Sequence, residues 1–240
     1  MKITDLKAIS ELASENDLLT IVDNTFLTPY LQKPITLGAD IVIHSGTKYL
    51  GGHNDVIAGL VVTASEELSL KIGAFQNGAG AILSPFDSWL LLRGMKTLAL
   101  RIEQQQRNAG EIAAFLAEHE LVNKVYYPGL ANQEQRAIME SQSRGFGGML
   151  SFEVKSPEIV KAVLKHVNII SFAESLGGVE TLITYPATQT HADIPVEIRE
   201  ARGVSDGLLR LSVGIESAED LIADLKQALH HSASAEYVRS

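Results

Sequence analysis

One lysine follows a short apolar run in the stretch HSGTKYLGGHND, residues 44–55. Lys48 lies between Thr47 and Tyr49, and Ser45 lies three residues before it. An ammonium group at the end of a buried strand has to be solvated, paired or chemically altered. The two hydroxyls suit a phosphate or another anion, beside which Lys48 is either a counter-ion or a nucleophilic amine whose charge is suppressed. Spacing alone does not decide between a counter-ion, a nucleophilic amine and a solvated lysine at the end of a strand.

A carboxylate ends the preceding predicted strand. Residues 18–23, LLTIVD, are typical of a short buried strand that ends at Asp23, and residues 39–45, ADIVIHS, of the next. Asp commonly caps turns, which is the simpler interpretation of Asp23 taken alone. Ligands of open α/β sheets, however, bind at the carboxyl edge of the sheet. Asp23 is therefore predicted to converge with the hydroxyls and the amine of residues 44–55, a set that suits a cofactor with a cationic ring and a phosphate.

The elements that would position these residues follow from the rest of the first half. Residues 56–64 form a third apolar run, and residues 5–16 and 65–76 have helical patterns. Residues 84–119 predict a long helical region with plausible breaks at Gly94 and Gly110. Apolar runs separated by longer connections favour an α/β fold.

The second half has a different pattern and predicts a smaller α/β domain. We expect one domain over residues 1–105 and another over residues 106–240. Strands are predicted at residues 124–129, 147–154, 168–173 and 208–214, and amphipathic helices at residues 156–167 and 217–232.

Composition narrows the function classes. The chain has 240 residues and no cysteine, and the absence of cysteine excludes disulfides and thiolate metal sites. Its net charge of −9 disfavours general nucleic-acid binding. No apolar stretch approaches the roughly 20 residues of a membrane helix, so we expect a cytoplasmic protein with neither membrane nor nucleic-acid partners. No His-Glu-x-x-His pair indicates zinc. A generic nucleotide-binding protein is disfavoured because GFGGM, residues 145–149, precedes a predicted strand instead of opening a helix.

Several longer motifs together resemble the transsulfuration family of pyridoxal-phosphate enzymes. The resemblance is carried by residues 22–62, VDNTFLTPYLQKPITLGADIVIHSGTKYLGGHNDVIAGLVV, and by residues 85–109, 175–195 and 207–216. It implies the fold of pyridoxal-phosphate-dependent transferases (aspartate aminotransferase fold type I). The first domain would then be the C-terminal part of the cofactor-binding large domain, with a mostly parallel sheet, and the second the C-terminal α/β domain.

The resemblance also implies a role for each residue of the first cluster. Lys48 would form the Schiff base with the aldehyde of pyridoxal 5′-phosphate and then carry protons. Asp23 would pair with the pyridine nitrogen and keep it protonated. Ser45 and Thr47 would bind the phosphate.

Two residues of the second half are implied as substrate ligands. Arg210 in LLRLSVG resembles the arginine that binds the substrate α-carboxylate, which a guanidinium matches bidentately. Ser175 resembles the residue beside that carboxylate. Without the resemblance, a surface ion pair is the simpler interpretation of Arg210.

The activity implied is that of a carbon–sulfur lyase of sulfur amino-acid metabolism. The resemblance favours β-elimination of cystathionine to homocysteine, pyruvate and ammonia, with γ-elimination or γ-replacement as the alternative. The family that the sequence resembles usually forms tetramers built from dimers, so a homo-oligomer is expected.

Relative to the family, the sequence begins part-way through the cofactor domain, after its phosphate loop and its ring-stacking tyrosine. Weak or absent activity of these 240 residues alone is therefore expected. A non-catalytic remnant that only associates with other subunits is the alternative of another class.

Overall fold

The chain forms two compact units. The computed structural model describes the backbone of residues 1–237 and the side chains of residues 1–231. The N-terminal unit comprises Lys2–Ile102 and Asn132–Gly147. The C-terminal unit comprises Met1, Glu103–Ala131 and the residues from Gly148 onward. The predicted pair of domains, 1–105 and 106–240, stays a prediction.

A three-stranded sheet in the order β1-β2-β3 organises the N-terminal unit. Its strands are β1 (Ile21–Asp23), β2 (Ile41–Ser45) and β3 (Gly59–Thr63). β1 and β2 are parallel, with Asp23 opposite Ile43, and β2 and β3 are antiparallel, with Ser45 opposite Gly59. Asp23 and Ser45 therefore end neighbouring parallel strands, as the sequence predicted, and the predicted α/β class is confirmed.

Helices flank this sheet, and side-chain caps fix where several of them begin. They are α1 (Leu6–Glu15), α2 (Thr28–Leu31), α3 (Glu66–Ala79), α4 (Pro85–Met95) and α6 (Gln133–Gln142). Helix α5 (Leu98–Ala117) begins in this unit, but most of its residues belong to the C-terminal unit. Asp5 accepts from the Ala8 amide at the start of α1, and Ser84 accepts from the Asp87 amide at the start of α4. Such caps satisfy amides that have no partner inside the helix.

The long predicted helical region is two helices. The break lies at residues 96–97, two residues after Gly94, so the expected break there is confirmed. The expected break at Gly110 is wrong, because α5 continues through it. A glycine costs only about 1 kcal/mol in a helix, and buried Ala109, Ile112 and Ala113 hold this segment in place.

The C-terminal unit contains a five-stranded sheet in the order β4-β5-β8-β7-β6. Its strands are β4 (Val122–Tyr126), β5 (Met149–Val154), β6 (Ser171–Phe172), β7 (Leu182–Thr184) and β8 (Leu208–Ser212), and its further helices are α7 (Pro157–His166), α8 (Val196–Ala201) and α9 (Ala218–Tyr237). β8 runs antiparallel to both neighbours, with Arg210 opposite Ser151 on β5 and Thr184 on β7. Leu209 and Leu211 of β8 are fully buried, so this strand crosses the core.

Most of the exposed large apolar side chains among the described residues belong to the N-terminal unit. They occur on β1, β3, α3 and α4 and include Ile21, Val61, Phe75, Phe86 and Trp89. Large exposed apolar surfaces commonly mark interaction sites. Across residues 1–237, no helix combines the length and the apolarity that a membrane span requires.

Candidate functional site

A tight turn at the carboxyl end of β2 holds Lys48. The π-helical turn Gly46–Leu50 follows Ser45, and Lys48 interrupts it with non-helical dihedrals, φ −96° and ψ −128°. The Gly52 amide donates to the Lys48 carbonyl at 2.7 Å, which closes the turn. Lys48 is half-buried there, at the edge where the sequence placed it.

Helix α4 packs its backbone directly against this turn. A Cβ at Gly94 would lie 2.2 Å from the carbonyl oxygen of Gly51, so only glycine permits the approach. Arg101 joins the two elements. Its buried guanidinium donates to the carbonyls of Tyr49 at 2.7 Å, Leu50 at 3.4 Å and Gly94 at 2.9 Å. These carbonyls share one buried cation, which fixes the turn that carries the lysine.

The Asp23 carboxylate uses one oxygen for the turn that follows β1. Its Oδ1 accepts from the Thr25 amide at 3.0 Å and from the Thr25 hydroxyl at 2.6 Å. Among the side chains of residues 1–231, none donates to Oδ2. Asp23 thus caps a turn, as its simpler interpretation expected, and retains a second oxygen for a ligand.

The two hydroxyls differ in how far the protein already uses them. The Ser45 Oγ has no hydrogen-bond partner within the described part of the chain. The Thr47 Oγ1 accepts from the Ala58 amide at 3.0 Å, while its contact with the Ala58 carbonyl is long, at 3.4 Å. Because a hydroxyl carries one donor and two acceptor sites, Thr47 can redirect its proton to an anion and keep the amide bond.

A buried histidine lies beside this cluster. Burial lowers the pKa of His44, although the charge of Asp23 and a hydrogen bond with the Asn24 backbone oppose the shift. Burial therefore favours the neutral form of this imidazole beside Asp23.

In the C-terminal unit, the Arg210 guanidinium is oriented from one side. Its Nη2 donates to the Ser175 carbonyl at 3.2 Å and to the Thr184 Oγ1 at 3.1 Å. Thr184 in turn donates to the Ala173 carbonyl at 2.9 Å. Ser175 has φ +100°, a conformation that costs about 1–3 kcal/mol for a residue with a Cβ and that concentrates at functional sites.

The structure thus brings the predicted residues together in two groups. Asp23, Ser45, Thr47 and Lys48 share one sheet edge of the N-terminal unit. Ser175 and Arg210 form a hydrogen-bonded pair in the C-terminal unit.

Sequence reasoning missed three supporting residues, Thr25, Arg101 and Thr184. Thr25 carried a usable signal, since a hydroxyl two residues after an aspartate commonly joins its turn. Thr184 lies on β7, a strand of three residues that the apolar pattern did not reveal. Arg101 carried no signal of its own.

The sequence also matches a known family over nearly its whole length. Residues 1–230 match the profile of the Cys/Met metabolism PLP-dependent enzymes. The chain belongs to this family. Members of the Cys/Met metabolism family use pyridoxal 5′-phosphate (PLP), so the cofactor that the resemblance implied is confirmed at the level of the family.

Three relatives define the similarity further. The chain is 57% identical over 229 residues to a cystathionine beta-lyase of Lactococcus lactis subsp. cremoris, covering 95% of this chain and 60% of the relative. It is 58% identical over 229 residues to a cystathionine gamma-synthase/O-acetylhomoserine (thiol)-lyase of Bacillus subtilis (strain 168). This match covers 95% of this chain and 57% of the relative. It resembles the crystal structure of cystathionine gamma-lyase from Lactobacillus plantarum complexed with L-serine, with a TM-score of 0.92, 49% identity and coverage of 96% and 60%. The chain therefore spans about 60% of the length of these relatives.

The residues present fit this cofactor chemically. The Oδ2 of Asp23 is an acceptor for a pyridinium N–H, and the hydroxyls of Ser45 and Thr47 are donors for phosphate oxygens. These donors and acceptors lie at the carboxyl edge of the sheet, where α/β folds bind such ligands.

Proposed function

We propose that this polypeptide binds PLP and belongs to a carbon–sulfur lyase that cleaves cystathionine by β-elimination. The observation that carries the proposal is the shared sheet edge. There a carboxylate with one uncommitted oxygen and one hydroxyl end neighbouring strands, and a second hydroxyl and a half-buried lysine lie in the turn that follows. Few ligands other than a phosphorylated pyridine need all of these groups together.

Each residue of the N-terminal group has a defined role in this proposal. The Oδ2 of Asp23 accepts the ring N–H, and Ser45 and Thr47 donate to the phosphate. Lys48 attaches the cofactor through its amine and later moves the proton at the substrate α-carbon. When bound, PLP supplies an electron sink for the charge that develops at that carbon.

The C-terminal group binds the amino-acid substrate. The guanidinium of Arg210 binds the α-carboxylate, since a planar guanidinium matches the geometry of a carboxylate. The hydrogen bonds to Ser175 and Thr184 hold the plane of the guanidinium before substrate arrives. A preoriented arginine loses less side-chain entropy on binding.

Product analysis distinguishes β- from γ-elimination. The purified chain is incubated with PLP and cystathionine, and the products are separated and quantified. β-Elimination takes up one water and gives homocysteine, pyruvate and ammonia, which is the expected result, at a low rate. Cysteine, 2-oxobutyrate and ammonia would reassign the chain to γ-elimination, the second candidate because the chain is 49% identical to the cystathionine gamma-lyase of known structure.

A role in subunit association without catalysis is the remaining alternative. The exposed apolar side chains of the N-terminal unit, such as Phe75 and Trp89, favour it. A folded chain that takes up no PLP and releases neither keto acid would support this role and contradict the lyase proposal.

A further inference from the structure

We infer that Thr25 is a positioning residue that fixes both Asp23 and Ser45 for the cofactor. The inference rests on the proposed function and deepens it. A single hydroxyl joins the residue proposed to bind the ring nitrogen to a residue proposed to bind the phosphate. Thr25 is 8% exposed, so its hydrogen bonds are largely shielded from water.

The proton positions around the Thr25 hydroxyl follow from its two partners. An ionised carboxylate can only accept, so the hydroxyl donates to the Oδ1 of Asp23, at 2.6 Å. A backbone amide can only donate, so the Ser45 N–H donates to the hydroxyl, at 2.8 Å. The first distance is that of a charge-assisted hydrogen bond, which is roughly twice as strong as a neutral one. The chain of donors therefore runs in one direction, from Ser45 through Thr25 to Asp23.

This arrangement directs the uncommitted oxygen of the carboxylate. The hydroxyl and the amide of Thr25 both bind Oδ1, and two donors on one oxygen fix the rotation of the carboxylate group. Oδ2 is thereby left for the ring N–H. The same hydroxyl anchors the backbone of Ser45, the last residue of β2, so one side chain contacts both residues proposed to bind the cofactor.

Three substitutions separate this role from a general effect on folding. Thr25→Val removes the hydroxyl and keeps the shape, whereas Thr25→Ser keeps the hydroxyl. Thr25→Ala removes the same hydroxyl without adding a methyl group and serves where Thr25→Val does not fold. The matched control is Thr20→Val, because Thr20 is also 8% exposed and its Oγ1 has no hydrogen-bond partner among the described residues.

Two measurements are made on the full chain. NMR follows hydrogen exchange of the Ser45 amide without cofactor, and equilibrium dialysis gives the dissociation constant for PLP. Thr25→Val is expected to accelerate Ser45 exchange and to raise the dissociation constant, each by about tenfold, because an amide and a carboxylate lose their shared partner. Thr25→Ser is expected to restore both to within about threefold of wild type, and Thr20→Val to change neither.

The possible results each decide the inference. PLP affinity that is unchanged in the hydroxyl-free variants, while wild type binds, overturns the inference and leaves the proposed function intact. The same holds if Ser45 exchange alone responds, because Thr25 is then only structural. Failure of wild type to take up PLP overturns the proposed function, and the inference falls with it.

Discussion

The guanidinium of Arg101 donates a 2.7 Å hydrogen bond to the carbonyl oxygen of Tyr49, the residue that follows Lys48. Arg101→Met would leave this carbonyl and those of Leu50 and Gly94 without their shared donor. We expect a loss of about 3 kcal/mol in the free energy of unfolding, measured by urea denaturation. Arg107→Met, at an exposed position of the same helix, is the control and should change it by less than about 0.5 kcal/mol. Equal losses of unfolding free energy in the two variants would show that the buried hydrogen bonds of Arg101 do not contribute specifically to stability.

Substitution by alanine is expected to have opposite effects on stability at Gly94 and at Gly110. Gly94→Ala would place a Cβ 2.2 Å from the Gly51 carbonyl oxygen, so α4 must move away from the lysine turn. At Gly110, an added Cβ meets no atom within 4 Å outside its own helix. We expect Gly94→Ala to lower the melting temperature, and Gly110→Ala to stabilise the chain by about 0.5–1 kcal/mol because alanine favours the helix. The packing account of Gly94 fails if both variants are stabilised.

Thr184 is expected to affect substrate binding more than turnover. Thr184→Val removes the oxygen that accepts from the Arg210 Nη2 at 3.1 Å, so the guanidinium loses one of its orienting contacts. The KM for cystathionine should rise about tenfold with little change in kcat, since the guanidinium loses one charge-assisted hydrogen bond. Thr184→Ser keeps the hydroxyl and should restore the KM. An equal KM in wild type, Thr184→Val and Thr184→Ser would show that Thr184 does not orient Arg210 for substrate binding.

The Asp224 carboxylate is expected to make the stability of the fold sensitive to acid. Burial raises its pKa, but hydrogen bonds from the amides of Ile170, Asn168 and Ile169 outweigh this effect and lower the pKa overall. A carboxyl group whose folded pKa is lowered stabilises the fold fully above its unfolded pKa, near 3.8, and loses that contribution as the pH falls through the folded value.

We therefore expect Asp224→Asn to lower the free energy of unfolding at pH 6 by about 2 kcal/mol. The drop in stability between pH 5 and pH 2 should also be smaller than in wild type. Urea denaturation across this range measures both. Asp220→Asn, at an exposed position of the same helix, is the control, and a pH profile of Asp224→Asn parallel to that of wild type would contradict the assignment.

The residues that end strands were the part of the site that the sequence could predict. Apolar runs that finish at Asp23 and Ser45 carry a local signal, and parallel pairing of β1 and β2 brings their ends together. The motif around Lys48 added a second signal through its resemblance to a family. These are short-range patterns, which a sequence displays directly.

The supporting contacts depend on residues far apart in the chain. Arg101 looks like a solvated residue in the first turn of a helix, yet its Tyr49 partner is 52 positions away. The β7 strand has three residues and gains its stability from pairing with β8, so its own pattern is weak. Gly110 shows the reverse case, because buried neighbours override the local preference against helix.

The identity of Lys48 as the residue that binds the cofactor is the central claim, and covalent trapping tests it most directly. The purified chain is incubated with PLP, reduced with borohydride, digested and analysed by mass spectrometry. We predict that the label lies on the peptide containing Lys48, and that it disappears from this peptide in Lys48→Arg while weak labelling of other lysines is unchanged. Absence of label from Lys48 in the wild-type chain, or labelling of Lys48 no stronger than that of exposed lysines such as Lys155, would contradict the account.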